Sequence, residues 1–540
     1  PLALLPSKLF LNCQKKAEGH YQKRITMDTS RTSNSLKNMA FGIGSQMLSI
    51  LMGFFTRWMF IALLGKEYLG VSGLFTNVLS LLSLANLGFD TAIIYSLYKP
   101  LAEGDMVAVK GYMRVYKRVY RAVGATVFVL GCILMPFLPH LVKGTVTIPE
   151  NIYVIYFLFL TQSASSYFFS YKQSLLTASQ QNRINSLYHS IFMVLRNLGE
   201  MVVLFFFHAY IPTLICIIAF QFVENAWIAR VTDKKFPFLT DSSTGKISFE
   251  QKQALKENVK SLFLYKISGT IISSTDNILI SKFQGLASVG LYSNYVYIVD
   301  VIRTFLSYIF YSMTASIGNY NATESKEANE KMFYNLFFAS FWLYGFTGIC
   351  LGVLLNPFIS LWIGKDYLLP NWTVFIIIAN YYTAGVQYAS TTYREVTGLF
   401  KIGKYRPLIA AVINLVISII LAYPLGISGI LLGTIISRLC VYFWYDPYII
   451  HKTLFARSVS KYFKTYVIYA AVSICTGLLC LFICSRIQIT SGIINFIAKM
   501  IVCAIMPNII FVIAFRHTDE FKKIKWYAQS LYQRRKNCTH

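Results

Sequence analysis

The chain has 540 residues, 55% of them hydrophobic and 16% aromatic, with only 14% charged. A mean hydropathy of +0.52 and repeated apolar runs of about 20 residues or more exceed what a soluble core absorbs. The net charge of +27 lies mainly between those runs, as the positive-inside rule requires, so nucleic-acid binding is not needed to explain it.

The opening "PLALLPSKLFL" is too short for a secretory signal and leads into a polar, basic stretch. Met27 is the expected natural start, and residues 1–36 are expected to form a disordered cytoplasmic segment. Apolar runs then fall near 39–64, 70–98, 115–138, 151–171, 184–208, 211–229, 259–282, 287–318, 332–355, 371–391, 407–424, 426–446, 462–484 and 492–515. Each predicts a transmembrane helix, because an open strand would leave backbone groups unsatisfied in lipid. The fold class expected is therefore all-α and polytopic, with about fourteen crossings.

Loops bearing "ARVTDKKF", "YREVTGLFKIGKYRP" and "RHTDEFKKIK" alternate with loops holding at most one basic residue, such as Lys66, Lys143, Lys282, Lys365 or Arg486. That asymmetry predicts that both termini are cytoplasmic. Shifting the first half by 220 positions lays Gly65 on Gly285, Gly70 on Gly290 and Gly144 on Gly364, and sets "LYKPLAEGD" against "IGNYNATES". The chain then reads as two six-helix lobes in parallel repeat, at 37–230 and 259–452, joined by a cytoplasmic loop at 231–258. An extra helix pair at 453–515 and a basic tail at 516–540 complete it.

Cys475, Cys480 and Cys484 share one apolar segment, but no histidine or carboxylate nearby completes a metal set. They read as small helix-packing residues, and neither a metal nor a cofactor is expected.

The stretch "FFTRWMFIALLGKEYLGVSGLFTNVLSLL", continued through "LANLGFDTAIIYSLYKPLAEGD", resembles the polysaccharide flippases of the Wzx type. So do "STDNILIS" with "VGLYSNYVYIV", and "YREVTGLFKIGKYRPLI". The resemblance runs from Lys37 to Lys464. These flippases belong to the multidrug/oligosaccharidyl-lipid/polysaccharide exporter superfamily, together with the MATE drug exporters and the lipid II flippases. The resemblance implies two lobes around a central cavity and alternating access. It implies a cargo of undecaprenyl-pyrophosphate-linked oligosaccharide for O-antigen, capsule or exopolysaccharide, moved across the bacterial plasma membrane. Its implied partners are that glycan, membrane lipids and the polysaccharide polymerase machinery, with no nucleic acid. The last two helices are less widely shared; lipid II flippases also have such a pair, bordering a lipid groove.

Charges inside the crossings supply the candidate site residues, since a charge at membrane depth is costly. Arg57 lies about 10 Å below the outer end of the first helix. It either snorkels to headgroups or faces the cavity, where the resemblance places an arginine and where a guanidinium fork suits pyrophosphate. The repeat shift lays Thr56 and Arg57 on Asp276 and Asn277. Asp276 pairs with Arg57 across the cleft, binds a coupling cation, or is a satisfied packing acid. Arg196 with Glu200, and Asp300 with Arg303, are spaced to neutralise each other along a helix, yet either arginine could bind an anion. Substrate binding is thus assigned to Arg57, Arg196 and Arg303, and ion coupling or gating to Asp276, Asn277, Asp300 and Glu200. Asp90, Glu224 and Lys266 read as solvated or snorkelling, and His189 and His208 as structural.

Two other classes compete. A MATE-like small-molecule exporter driven by an ion gradient would want acidic cavity residues without paired arginines. A membrane enzyme would want a sizeable external loop, and the longest, from Asn356 to Asn371, is too short to form a domain. No Gly-x-x-x-x-Gly-Lys-Ser/Thr phosphate loop is present for an ATP-driven pump. The chain is not expected to be an enzyme and no catalytic residue is assigned.

Overall fold

The computed structural model describes residues 44–83, 89–143, 148–179, 181–239, 247–399, 402–403 and 405–538. The segment 1–36, Met27 and Gly144 lie outside the described residues. Among the described residues the chain is helical without a strand, and ten helices are long and apolar enough to cross a membrane. The protein is an all-α, multi-pass membrane protein.

The first six predicted crossings are α1 (Gly44–Leu64), α2 (Lys66–Leu82) with α3 (Phe89–Glu103), α4 (Met106–Leu134), α5 (Ile152–Ala178), α6 (Asn182–Phe207) and α7 (Tyr210–Lys235). The next six are α8 (Phe249–Gln284), α9 (Leu286–Thr323), α10 (Lys326–Trp362), α11 (Asn371–Val386) with α12 (Tyr388–Val396), α13 (Arg406–Leu425), and α14 (Ile427–Arg438) with α15 (Trp444–Ile450). α16 (Ser460–Arg486) and α17 (Gly492–Phe515) form the extra pair, and α18 (Asp519–Cys538) follows.

The ten strongly apolar helices leave out α2 with α3, α8, α9, and α11 with α12. Of these, α8 and α9 carry Asp276, Asp300 and Arg303. They pack on α2, and α3 packs on α8, so much of their surface meets the other lobe instead of lipid. Helices also start earlier than the apolar runs suggest. α4, α8 and α10 begin at Met106, Phe249 and Lys326, where Asp105, Ser248 and Ser325 accept bonds from the backbone of the first turn. An apolar run marks the bilayer section of a helix, whereas the cap sets its end.

The internal repeat is realised in three dimensions. Gly65 (φ 88°, ψ −176°) and Gly285 (φ 86°, ψ 170°) adopt one left-handed-side conformation ahead of α2 and α9, which only glycine takes without strain. Asp105 caps Ala108 N at 2.9 Å and Ser325 caps Ala328 N at 3.2 Å, and both pairs are related by the 220-residue shift. The lobes also touch reciprocally. A Cβ on Gly70 would collide with the carbonyl oxygen of Leu286, and a Cβ on Gly290 with that of Lys66. Lys66 and Leu286 are themselves repeat mates, so a pseudo-two-fold axis passes between α2 and α9.

The extra pair packs on α10. Phe341 stacks on Tyr469 with ring centroids 4.1 Å apart and lies 5.0 Å from Phe511, while Trp342 donates to Asn508 Oδ1 at 2.9 Å. Cys480 and Cys484 are free and buried in this contact together with Cys503, in keeping with a packing role, whereas Cys475 is exposed and does not pack.

Candidate functional site at the lobe interface

α1 reaches across to the second lobe through Gly53, Phe54 and Arg57. These sit three and four residues apart, so they share one helix face. A side chain at Gly53 would strike the Tyr297 hydroxyl, and Phe54 meets Tyr297 at 5.1 Å and Trp362 at 4.9 Å. Half-buried Arg57 donates from Nε to Asn294 Oδ1 and from Nη2 to Ser293 Oγ, both at 2.7 Å. Its guanidinium carbon lies 5.1 Å from the Tyr297 ring centre, a cation–π distance. Two further bonds seal the same end of the interface: Lys143 N donates to Ser281 O at 3.0 Å, and Lys282 Nζ to His140 O at 2.6 Å.

Asp276 does not pair with Arg57 in this conformation. Its Oδ1 accepts from Thr434 Oγ1 at 3.4 Å, and Asn414 Nδ2 donates to that same hydroxyl at 2.9 Å. Asp276 thus belongs to a polar cluster of α8, α13 and α14 inside the second lobe. Arg438 lies within electrostatic reach of both Asp276 and Arg303, and donates to Thr383 Oγ1 at 2.8 Å and Asn380 O at 3.0 Å. The sequence reading passed over Arg438, although an arginine in the apolar run "GTIISRLC" carries the same signal as Arg57. Ser293 and Asn294 were also missed; they stand in the quoted string "VGLYSNYVYIV".

Asn277, the repeat mate of Arg57, faces the first lobe. A Cβ on Gly73 of α2 would stand 3.7 Å from Asn277 Nδ2, and Asn277 Oδ1 is buried without a partner among the described residues. Asp300 and Arg303 form a half-exposed ion pair at 2.8 Å. Arg196 and Glu200 act on each other electrostatically along α6 without a direct ion pair among the described residues. The assigned residues therefore form separate groups: Arg57 and Asn277 on the lobe seam, Asp276 with Asp300 and Arg303 in the second lobe, and Arg196 with Glu200 in the first.

Two readings of lesser charges change. Glu224 is buried and bonded to His189 Nδ1 at 2.8 Å, and Asp90 accepts from Tyr116 and from Ser174, the latter at 2.6 Å. Both are held by partners on neighbouring helices, which single-helix periodicity does not reveal, and Glu224 is not a solvated end group. His208 closes α6 in a left-handed conformation, φ 49°, a structural role. The Lys266 side chain lies outside the described residues.

Solved structures share this architecture. An inward-facing multidrug resistance MATE family transporter of the MOP superfamily aligns with a TM-score of 0.58 at 13% identity, covering 77% of this chain and 98% of that one. The lipid II flippase MurJ, in an inward closed conformation, aligns at 0.58 and 14% identity, covering 88% of this chain and 99% of its own. The chain has the fold of the MOP-superfamily transporters. A mutant form of the Vibrio cholerae MATE transporter VcmN also aligns, at 0.54 and 14% identity over 79% of this chain and 99% of that one. Two of these neighbours are MATE transporters and one is a flippase. No family model matches the sequence, and no curated protein does.

Proposed function

We propose that this chain is a flippase that moves undecaprenyl-pyrophosphate-linked oligosaccharides across the bacterial plasma membrane, in the manner of the Wzx type. The observation that carries the reading is the state of Arg57. The buried arginines at the opposite end of the second lobe have a carboxylate partner: Arg394 and Arg406 share Asp446 at 3.3 and 2.5 Å. Arg57 is held only by the neutral side chains of Ser293 and Asn294, with no carboxylate partner among the described residues. Neutral acceptors aim a guanidinium without consuming its charge, which leaves it for an anion such as pyrophosphate. The fold shared with a lipid II flippase supports a lipid-linked cargo.

In this reading both termini are cytoplasmic, the lobes divide at 231–258, and the sealed end of the interface faces outward. Asp276, with Thr434 and Asn414, is the coupling-ion site, and Arg303 with Arg438 extends the positive lining. Membrane lipids hold the polyprenyl tail, and the polymerase machinery receives the glycan outside. Deleting the gene tests this. Lipid-linked repeat units should accumulate in the cytoplasmic leaflet and surface polymer should vanish, while sensitivity to cationic dyes stays unchanged.

One observation favours a second reading, a MATE-like exporter: the MATE structure aligns as well as the flippase does, at 0.58 each. A deletion strain with normal surface polymer and raised dye sensitivity would select it.

A further inference from the structure

Inside the first lobe, away from the Arg57 seam, lies an open cavity of about 330 Å³ lined by α3, α4, α5, α6 and α7. Its lining includes Thr177 and Asn182, next to the α5–α6 turn, the end of the lobe that the positive-inside rule assigns to the cytoplasm. We propose that this cavity is a subsite for the sugar part of the cargo; it rests on the flippase reading and names where the glycan first binds.

The walls carry the chemistry that recognises polyhydroxy compounds. Asp90 and Glu224 provide carboxylates, Gln173 and Asn185 provide amides, and Tyr120 provides a ring. Each carboxylate is already oriented. Asp90 Oδ1 accepts hydrogen bonds from the hydroxyls of Tyr116 and Ser174, and Glu224 Oε1 bonds His189 Nδ1. Among the described residues the second oxygen of each forms no hydrogen bond, so it can accept from an incoming hydroxyl. The amides are fixed as well: Gln173 Nε2 donates to Asn225 Oδ1 at 3.1 Å, and Asn185 Nδ2 to Gln173 O at 3.1 Å. Asn185 Oδ1 is left without a partner among the described residues, and an unsatisfied acceptor of this kind gains from a ligand hydroxyl.

A sugar fits this site better than a cation does. A cation gathers several oxygens onto one point, whereas these groups spread over five helices and one oxygen of each carboxylate is bonded to neighbours. Among the described residues no group of three or more His, Cys, Asp and Glu side chains is placed to hold a metal. The volume sits at the lower end of the ~300–1,000 Å³ range of small-ligand pockets. It suits a sugar ring with its substituents better than a long oligomer.

The test uses the lipid-linked glycan accumulated by the deletion strain, released from its lipid by mild acid. If no such glycan accumulates, the flippase reading fails before the subsite is reached. Given the glycan, binding to the purified full-length protein in lipid nanodiscs is measured by saturation-transfer NMR and competition. Glu224→Gln removes an acceptor charge, and Ser186→Trp fills the cavity from α6. Both should weaken binding at least tenfold while the elution profile and melting temperature stay near wild type. Unchanged binding in Ser186→Trp would overturn the proposal. So would saturable sodium binding that Glu224→Gln abolishes in a protein that takes no glycan.

Discussion

Arg57 of α1 bonds Ser293 of α9 at 2.7 Å, while the residues that the internal repeat makes their equivalents, Asn277 and Gly73, face each other with no bond formed. The two contacts are one contact seen twice across the pseudo-two-fold axis. Only one copy is charged and satisfied; in the other, Asn277 Oδ1 is buried and orphaned. Symmetry built the seam, and the side chains then differentiated its halves. A charge on one half alone gives the cavity a polarity that a symmetric pair would cancel.

Arg57→Ala should lower surface polymer in a complemented deletion strain by at least about tenfold, as expected from losing a charged hydrogen-bonding group worth about 1.5–3 kcal/mol. Arg57→Lys should retain part of the activity, keeping the charge and losing the fork that spans Asn294 and Ser293. Polymer is normalised to membrane-inserted protein. Full activity in both variants would mean that Arg57 only anchors the helix.

Asn277→Leu should leave the protein as stable as wild type or raise its melting temperature in detergent. It removes a buried acceptor whose lack of a partner costs about 1–3 kcal/mol. Loss of transport in a well-folded Asn277→Leu protein would instead assign this amide to ion coupling or gating.

Gly70→Ala and Gly290→Ala should destabilise to similar extents, about 1–3 kcal/mol each by overpacking. Each introduces a methyl group against a carbonyl oxygen of the opposite lobe. Gly44→Ala, which meets open space, is the control. Melting temperatures of purified protein read the comparison, and a tolerated Gly290→Ala beside a damaging Gly70→Ala would contradict the two-fold seam.

Asp446→Asn should cost about 3–5 kcal/mol, the usual penalty for stranding buried charge. Two arginines, Arg394 and Arg406, depend on that carboxylate, and all three side chains are less than one-tenth exposed. By contrast Glu103→Gln, in an ion pair with Lys99 whose side chains are 58% and 83% exposed, should change stability little. Expression and melting temperature distinguish the two.

Single cysteines at Lys143 and Lys365, in a cysteine-free background, should react with impermeant maleimide in intact cells. A cysteine at Lys234 should react only after lysis. Labelling of position 234 from outside would reverse the orientation, and with it the assignment of the sealed end of the seam.

Much of this architecture was legible in the chain alone. Apolar length has one solution in lipid, so every predicted crossing for which residues are described is helical. The repeat was legible because turn glycines and helix caps are local: Gly65 and Gly285, or Asp105 and Ser325, act within one turn of the backbone. The extra pair was legible for the same reason, as an unbroken apolar run, but of its three cysteines only Cys480 and Cys484 are buried, while Cys475 is exposed.

Partner choice was decided only by the tertiary structure. Arg57 and Asp276 are drawn to each other by charge, yet they point to different helices, Arg57 to Ser293 and Asn294 and Asp276 to Thr434. Glu224 finds His189 at a separation of 35 residues and Arg57 finds Asn294 at 237. Sequence encodes how costly a charge is at membrane depth and therefore that it must be satisfied. Which group satisfies it depends on how helices are rotated and crossed, a property of many packed side chains acting together that no local stretch contains.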